Sequence, residues 1–136
     1  MSFAGAWIPQ AAAIPVRDGQ VCLVTASSGR RWVIPKGIID PGQTAPETAL
    51  QEAWEEAGLV GTLVPEPVGH YLRDKWGGTC HITVFLMHVT EAHENWPEKA
   101  ARQRRWLSPS QALDLIRDED LREILRGVLA VGGGPS

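Results

Sequence analysis

One helix, bracketed at both ends and set among short strand-like runs, does most to limit what this 136-residue chain can fold into. Thr44 can cap it, Glu47 three residues later completes a capping box, and Pro46 falls in the first turn, where its missing N–H costs nothing. Gly58 supplies the matching stop. At about 100° per residue, Glu52, Glu55 and Glu56 lie within about a third of the circumference, with Leu50, Ala53, Trp54 and Ala57 on the opposite side. Three carboxylates thus converge on what reads as one exposed stripe, where each raises its neighbours' pKa. A solvated acidic face is the ordinary meaning of such a helix, whereas a bound divalent cation would turn the repulsion into attraction.

The rest of the chain sets this helix in a sheet. Strand-like runs at Ala11–Val16 and Val21–Ala26 flank Arg17-Asp18-Gly19-Gln20, which has good turn chemistry and predicts a hairpin. Trp32-Val33-Ile34 ends at Pro35, and a turn-rich loop runs on through Pro41-Gly42-Gln43. Strand patterns resume at Gly61–Val64, Val68–Leu72 and Cys80–Val89, the last preceded by the turn Trp76-Gly77-Gly78, and Arg104–Leu107 is one more candidate. Ser108-Pro109 opens a helix through about Ile116, and an amphipathic segment follows from about Leu121 to Leu129. Mixed strands around a central helix, with helices at the end, predict an α/β sandwich. We expect one domain over residues 1–130 and a disordered Gly-rich tail over 131–136.

Lys and Arg total 13 against 16 Asp and Glu, and the resulting net charge of -3 argues against broad capture of extended nucleic acid. Removing the three convergent glutamates leaves 13 against 13, so the acidity is concentrated at one place. Cys22 and Cys80 lack zinc-ligand spacing and read as buried, reduced thiols. No basic residue precedes Arg17, and Pro9, Gln10 and Pro15 interrupt the first apolar stretch, so neither a secretory signal nor a membrane span is expected. A cytoplasmic location follows as an expectation.

The acidic stripe has a definite setting: Gly37 stands fifteen positions before Glu52, Pro41-Gly42 lies between, and Gly58-Leu59 closes the segment. This arrangement resembles the Nudix box, Gly-x5-Glu-x7-Arg-Glu-U-x-Glu-Glu-x-Gly-U, in which U is a bulky aliphatic residue. Six of its nine specified positions match here, namely Gly37, Glu52, Glu55, Glu56, Gly58 and Leu59. At about 7% usage for each residue type, the five Gly and Glu matches arise by chance about once per million start positions. Gln43 replaces a Glu, Gln51 an Arg and Ala53 an aliphatic residue. The stretches QAAAIPVR, RRWVIPKG, EEAGLVGTL and NWPEKAARQRRWLSP are most similar to the diphosphoinositol polyphosphate phosphohydrolase branch of that family.

The resemblance implies a Nudix-type α/β/α sandwich with a central mixed sheet, and Mg²⁺- or Mn²⁺-dependent hydrolysis of a P–O–P bond in an X-linked diphosphate. Such hard cations suit carboxylate oxygens and also bind substrate phosphates. It implies Glu52, Glu55 and Glu56 as metal ligands, with the backbone carbonyl of Lys36 completing the shell, and Glu55 as general base with Glu52 as the alternative. The family's arginine orients neighbouring carboxylates through a charge-assisted bond, and Gln51 can donate a hydrogen bond without charge. Gln43 is expected to weaken only outer contacts.

A small phosphorylated substrate needs cations around the acidic centre. The resemblance implies Arg30, Arg31, Lys36 and Arg102 in that role, with Arg17 and the Arg73/Lys75 pair as weaker candidates. Ile8-Pro9-Gln10 stands where further cations would serve an inositol polyphosphate, which leaves diphosphoinositol, diadenosine and other nucleoside polyphosphates open as substrates. Trp76 or Tyr71 could stack on a base, although packing is the commoner role, and His70, His81, His88 and His93 are given no catalytic part. A domain that binds a phosphorylated ligand without turnover is the alternative function.

Overall fold

The structure, a computed structural model, describes residues 5–132. Its elements in chain order are β1 (Trp7–Arg17), β2 (Gln20–Thr25), β3 (Trp32–Val33), β4 (Lys36–Ile38), α1 (Ala45–Ala57), β5 (Leu59–Leu63), β6 (Gly69–Lys75), β7 (Gly78–Ala92), β8 (Arg104–Leu107), α2 (Pro109–Leu115) and α3 (Glu119–Gly132). The strands form one mixed sheet in the order β3-β2-β1-β7-β5, with β4 on β1, β6 on β7 and β8 on β2. The parallel pair β1 and β7 is its spine, in register from Trp7 opposite Thr79 to Val16 opposite His88. Each spine strand has a divided outer edge. β1 pairs with β4 at Gln10–Ala12 and with β2 at Val16–Arg17, while β7 pairs with β6 up to Val84 and with β5 from Met87.

Both faces of the sheet are covered, as an α/β/α sandwich requires. On one face Ala49, Ala53 and Ala57 of α1, spaced four residues apart, pack with Ala11 and Ala13 of β1 and with Phe85 and Met87 of β7. On the other, Ile8, Ala12 and Ile14 pack with Tyr71, Ile82 and Val84 and with Ala112, Ile116, Leu121 and Leu125 of α2, α3 and their junction. Ala53, a departure from the box, is fully buried in this small-residue seam. Cys22 and Cys80 are buried, unpaired thiols in opposite layers, and burial pushes the Cys22 thiol up to about 12.

The capping box at Thr44 and the left-handed Gly58 cap (φ 68°) bound α1 where the sequence places them. Two hairpins close through residue pairs in the left-handed region, Asp18-Gly19 between Arg17 and Gln20, and Trp76-Gly77 between Lys75 and Gly78. Such pairs give the twist that two-residue hairpin loops need. β1 begins four residues before the expected strand and runs through Pro9, whose carbonyl accepts from the Ile39 N–H at 3.0 Å. β4 was not expected, because three residues after a proline carry no period. It exists through its pairing with β1. Helix α3 continues through Gly132, two residues into the expected tail, and residues 133–136 lie outside the described residues. No helix among the described residues is long and apolar enough to cross a membrane.

Where β5 shifts register against β7, between Val60 and Gly61, a Cβ at Gly61 would lie 2.9 Å from the carbonyl carbon of His88. Gly61→Ala is therefore expected to cost about 2–3 kcal/mol of stability by overpacking. Urea unfolding measures this, and an unchanged midpoint would show that the bulge can open.

Candidate active site

Helix α1 does not carry its three carboxylates on an exposed stripe. Its buried side comprises Thr48, Ala49, Ala53, Glu56 and Ala57, and Glu56 is only 5% exposed. Glu52 and Glu55 are half-buried, as are Leu50 and Trp54, the expected apolar side. The physical reason is β4, which lies beside α1 and covers the flank bearing Glu52 and Glu56. Gly37 makes this possible, since a Cβ there would sit 2.7 Å from Glu52 Oε1. The box glycine thus answers to close approach, its φ lying outside the left-handed region.

Glu52 and Glu56 are one turn apart and share a hydrogen bond, which requires a proton on one of them. Burial first, and then this bond, pushes the Glu56 carboxyl up to about 8 against the pull of Arg102. Burial also raises Glu52. The segment from His93 to Arg104 fixes the C-terminal end of α1 by satisfying its free carbonyls. Trp96 Nε1 donates to Glu56 O at 3.0 Å, Arg104 Nη1 to Ala57 O at 2.7 Å, and the Glu98 N–H to Glu55 O at 3.0 Å. Arg104 also lies over the Trp96 ring at 4.3 Å.

Arg102, expected on the substrate, is mostly committed to the protein. Its Nε donates to Glu98 Oε1 and its Nη1 to Thr25 O, both at 2.8 Å, while Nη2 stands 3.7 Å from Glu56 Oε2. It is the standing counter-ion of the acidic centre. Glu98, which the sequence reading passed over, enters through this arginine, and no short-range spacing ties it to the box.

The two box departures meet. Thr48 Oγ1 donates to Gln43 Oε1 at 3.3 Å, Gln43 Nε2 to Gln51 Oε1 at 2.8 Å, and Gln51 Nε2 to Glu55 Oε1 at 2.9 Å. A chain of neutral amides therefore ends on Glu55, where the resemblance implies a Glu and an Arg. Gln43 acts beyond the outer contacts expected of it, because it sets the orientation of the Gln51 amide.

A groove opens over these carboxylates, lined by Gly37, Glu56 and Arg102 and by Arg31, Lys36, Lys75 and Trp76. It shares Gln10, Arg31, Val33, Ile34, Lys36 and Lys75 with a deeper cavity of about 260 Å³, which adds Trp32, Tyr71, Arg73, Ile116, Arg117, Asp118 and Leu121. Arg31 and Lys36 are thus placed with the carboxylates, and Lys75 is stronger than its rank in the sequence reading. Burial and the neighbouring charges of Lys75 and Arg31 lower the Lys36 pKa. Arg30 is not brought in. It lies in an exposed turn, with its N–H on Ser28 Oγ, and lines neither space. Arg73 is paired with Asp118 and Asp120, and Arg17 with Asp18 at a hairpin tip. Tyr71 is a buried wall of the cavity, Trp76 stands at the rim, and none of the four histidines lines either space.

Among the described residues no three carboxylate, imidazole or thiolate groups already surround one point. The donor chemistry nonetheless suits a hard divalent cation: Glu52 and Glu56 are adjacent, repel one another and hold a proton that a cation would displace. With the Lys36 carbonyl they could supply part of an oxygen shell, leaving positions for water and phosphate.

The chain matches the NUDIX domain over residues 7–128. It is 36% identical over 120 residues to Nudix hydrolase 12, mitochondrial, of Arabidopsis thaliana, covering 82% of this chain and 59% of that protein. It is 29% identical over 125 residues to diphosphoinositol polyphosphate phosphohydrolase 3-alpha of Mus musculus, covering 88% and 74% of the two. The chain spans about three fifths of the length of the plant relatives it matches. The fold is shared with a C. elegans Ap4A hydrolase binary complex at a TM-score of 0.74 and 20% identity, covering 94% of this chain and 99% of that one. A NUDIX hydrolase from Nitrosomonas europaea gives 0.73 at 19% identity over 90% and 88% of the two chains.

Two outcomes are expected of this geometry. The raised Glu56 acid makes folding take up a proton between its ordinary 4.5 and about 8, so stability from this group is full below 4.5 and lost as pH rises through 8. In chelator the melting temperature should fall across that window, Mg²⁺ should offset the fall most at the alkaline end, and Glu56→Gln should remove this component. The amide chain predicts coupling: Gln43→Glu alone adds a carboxylate near Glu55 and should tighten Mn²⁺ binding, and combining it with Gln51→Arg should change the affinity by other than the sum of the two single effects, because the side chains bond to each other. Strictly additive effects in that cycle would dissolve the pairing.

Proposed function

The chain belongs to the NUDIX domain family, and from that premise we propose that it is a Mg²⁺-dependent pyrophosphohydrolase that cleaves a P–O–P bond in an X-linked diphosphate. One observation carries the reading. Glu56, the buried member of the α1 carboxylate pair, and the cations Arg31, Lys36 and Lys75 border the same groove, with the Glu56 carboxyl raised by burial and by Glu52 and the Lys36 ammonium lowered by burial and by Lys75. A cation on the carboxylates and a polyphosphate on the basic side chains would relieve both repulsions at once.

Glu52, Glu56 and the Lys36 carbonyl would hold Mg²⁺, with Glu55 as a further ligand or as base. When bound, the ion screens phosphate charge, polarises phosphorus and lowers the pKa of a bound water. Glu55, oriented by Gln51, takes a proton from the attacking water, with Glu52 as the alternative base. The water oxygen bonds to phosphorus, the bridging P–O bond breaks, and its electron pair leaves with the departing phosphate. Arg31 and Lys36 would hold the phosphates, and Arg102 keeps the acidic residues in place while one edge faces the groove. The diphosphoinositol, diadenosine and nucleoside polyphosphates remain the substrate classes for this site. A cytoplasmic setting belongs to the same proposal, supported by two buried cysteines left unpaired. The neutral Gln43–Gln51 pair favours a second reading, a phospho-ligand binder without turnover.

A screen with Mg²⁺ and Mn²⁺ over nucleoside triphosphates, dinucleoside polyphosphates, diphosphoinositols and nucleotide sugars tests the reading. Turnover is expected to fall about 10²-fold or more in Glu55→Gln, and Mg²⁺ affinity to fall in Glu56→Gln. Activity that survives both substitutions would remove the site from α1, and saturable binding without phosphate release would establish the second reading.

A further inference from the structure

The sheet face on which α1 packs is covered at one end only. On β7 the residues sharing the face of Phe85 and Met87 are Thr79, His81 and Thr83, because side chains alternate along a strand. The register sets His70 and Leu72 of β6 opposite Thr83 and His81, and Trp7 of β1 opposite Thr79. This end of the face is open: Trp7 is 61% exposed, Leu72 48%, and His70 is exposed as well. Three rings line up across β1, β7 and β6. Trp7 and His81 have centroids 5.3 Å apart, and His81 and His70 stack at 5.5 Å with 25° between their planes. Tyr71 and Cys80, which point to the other face of the same two strands, line the deeper cavity, so the row of rings and that cavity occupy opposite sides of the sheet.

We propose that His70 and His81 form a metal site separate from the α1 carboxylates, which takes a borderline divalent cation such as Zn²⁺ and crosslinks β6 to β7. Thr83 Oγ1 lies 3.4 Å from His70 Nδ1. With the hydroxyl accepting, His70 keeps its proton on Nδ1 and leaves the Nε2 lone pair free, which is how the outer partner of a ligating histidine fixes its tautomer. A tetrahedral ion about 2.0–2.1 Å from each nitrogen needs the two donor atoms about 3.4 Å apart, and rings already stacked at 5.5 Å reach that by small side-chain rotations. Asp74, the next residue on this face of β6, accepts from Thr79 Oγ1 at 3.4 Å and is separated from His70 by Leu72. The protein thus supplies two nitrogen ligands and water the rest, with Trp7 and Leu72 as the apolar rim. Imidazole suits Zn²⁺, Ni²⁺ and Cu²⁺, whereas Mg²⁺ takes oxygen ligands, so the two places select different ions. The site is independent of the hydrolase reading.

The test is calorimetric titration of Zn²⁺ into the intact chain in saturating Mg²⁺, comparing wild type with His70→Gln, His81→Gln, Thr83→Val and, as a control on the other face, the exposed His88→Gln. One Zn²⁺ per chain is expected to bind about 10-fold or more weakly in each of the first three variants, the third through loss of the bond that fixes the His70 tautomer, and unchanged in His88→Gln. Zn²⁺ should raise the melting temperature of wild type and not that of His70→Gln, since the ion binds only the paired strands. Cu²⁺ seated at the same place should quench the neighbouring indole, a component of the fluorescence that Trp7→Phe removes. Equal Zn²⁺ affinity in wild type and His70→Gln would overturn the proposal. So would a loss confined to one of the two histidine variants, which would leave a single imidazole in place of a chelate, or Zn²⁺ binding that survives both and disappears in Glu56→Gln.

Discussion

The approach of α1 to the sheet across a seam of alanines decides the position of everything that matters to the site. Ala49, Ala53 and Ala57 meet Ala11 and Ala13, so the helix rests on β1 with little side chain between. Beside that seam Glu52 packs directly on Gly37 of β4, a contact that any Cβ would break. Larger residues at either place would lift the helix and draw its carboxylates away from the strand. The tight packing of protein interiors leaves no room for such a change to be absorbed locally.

Bringing the helix this close has an electrostatic cost that the surroundings share. Glu56 is buried beside Glu52 with its acid raised to about 8, and Arg102 offsets part of the repulsion while binding Glu98 and the β2 carbonyl of Thr25. The segment from His93 to Arg104 both supplies that arginine and ties down the end of α1 through Trp96 and Arg104. Across the groove the opposite imbalance holds, with Arg31, Lys36 and Lys75 close together. Glu56 is near enough to act on Lys36 as well as on Arg102, so the two sets face one another across a common space. Such an arrangement is what a site for a metal and a polyanion requires.

Several elements could be read directly from local chemistry. The Thr44 box and the Gly58 cap bound α1, and the Asp18-Gly19 and Trp76-Gly77 pairs close hairpins, because in each case neighbouring residues settle the backbone. The spacing from Gly37 to Gly58 marked the acidic centre for the same reason. Other features had no local signal. β4 is three residues long and owes its existence to β1, and the burial of Glu56 follows from β4. Gln43 and Gln51 read as two separate weaknesses eight residues apart, yet they bond to each other and finish on Glu55. Gln10 read as a missing cation, yet β1 buries it on the face of Ile8, Ala12 and Ile14, where it lines the cavity beside the groove.

The sequence by itself determined the central helix and its ends, the strand-rich setting, the identity of the three acids and the family whose box they resemble. Those properties depend on residues a few positions apart, where capping, turn chemistry and helical period act. The tertiary structure alone decided which acids are buried, which cations reach them, and how Gln43 and Gln51 join to reach Glu55. Each of these is a contact between elements distant in sequence, and burial and charge take their effect from such neighbours in space.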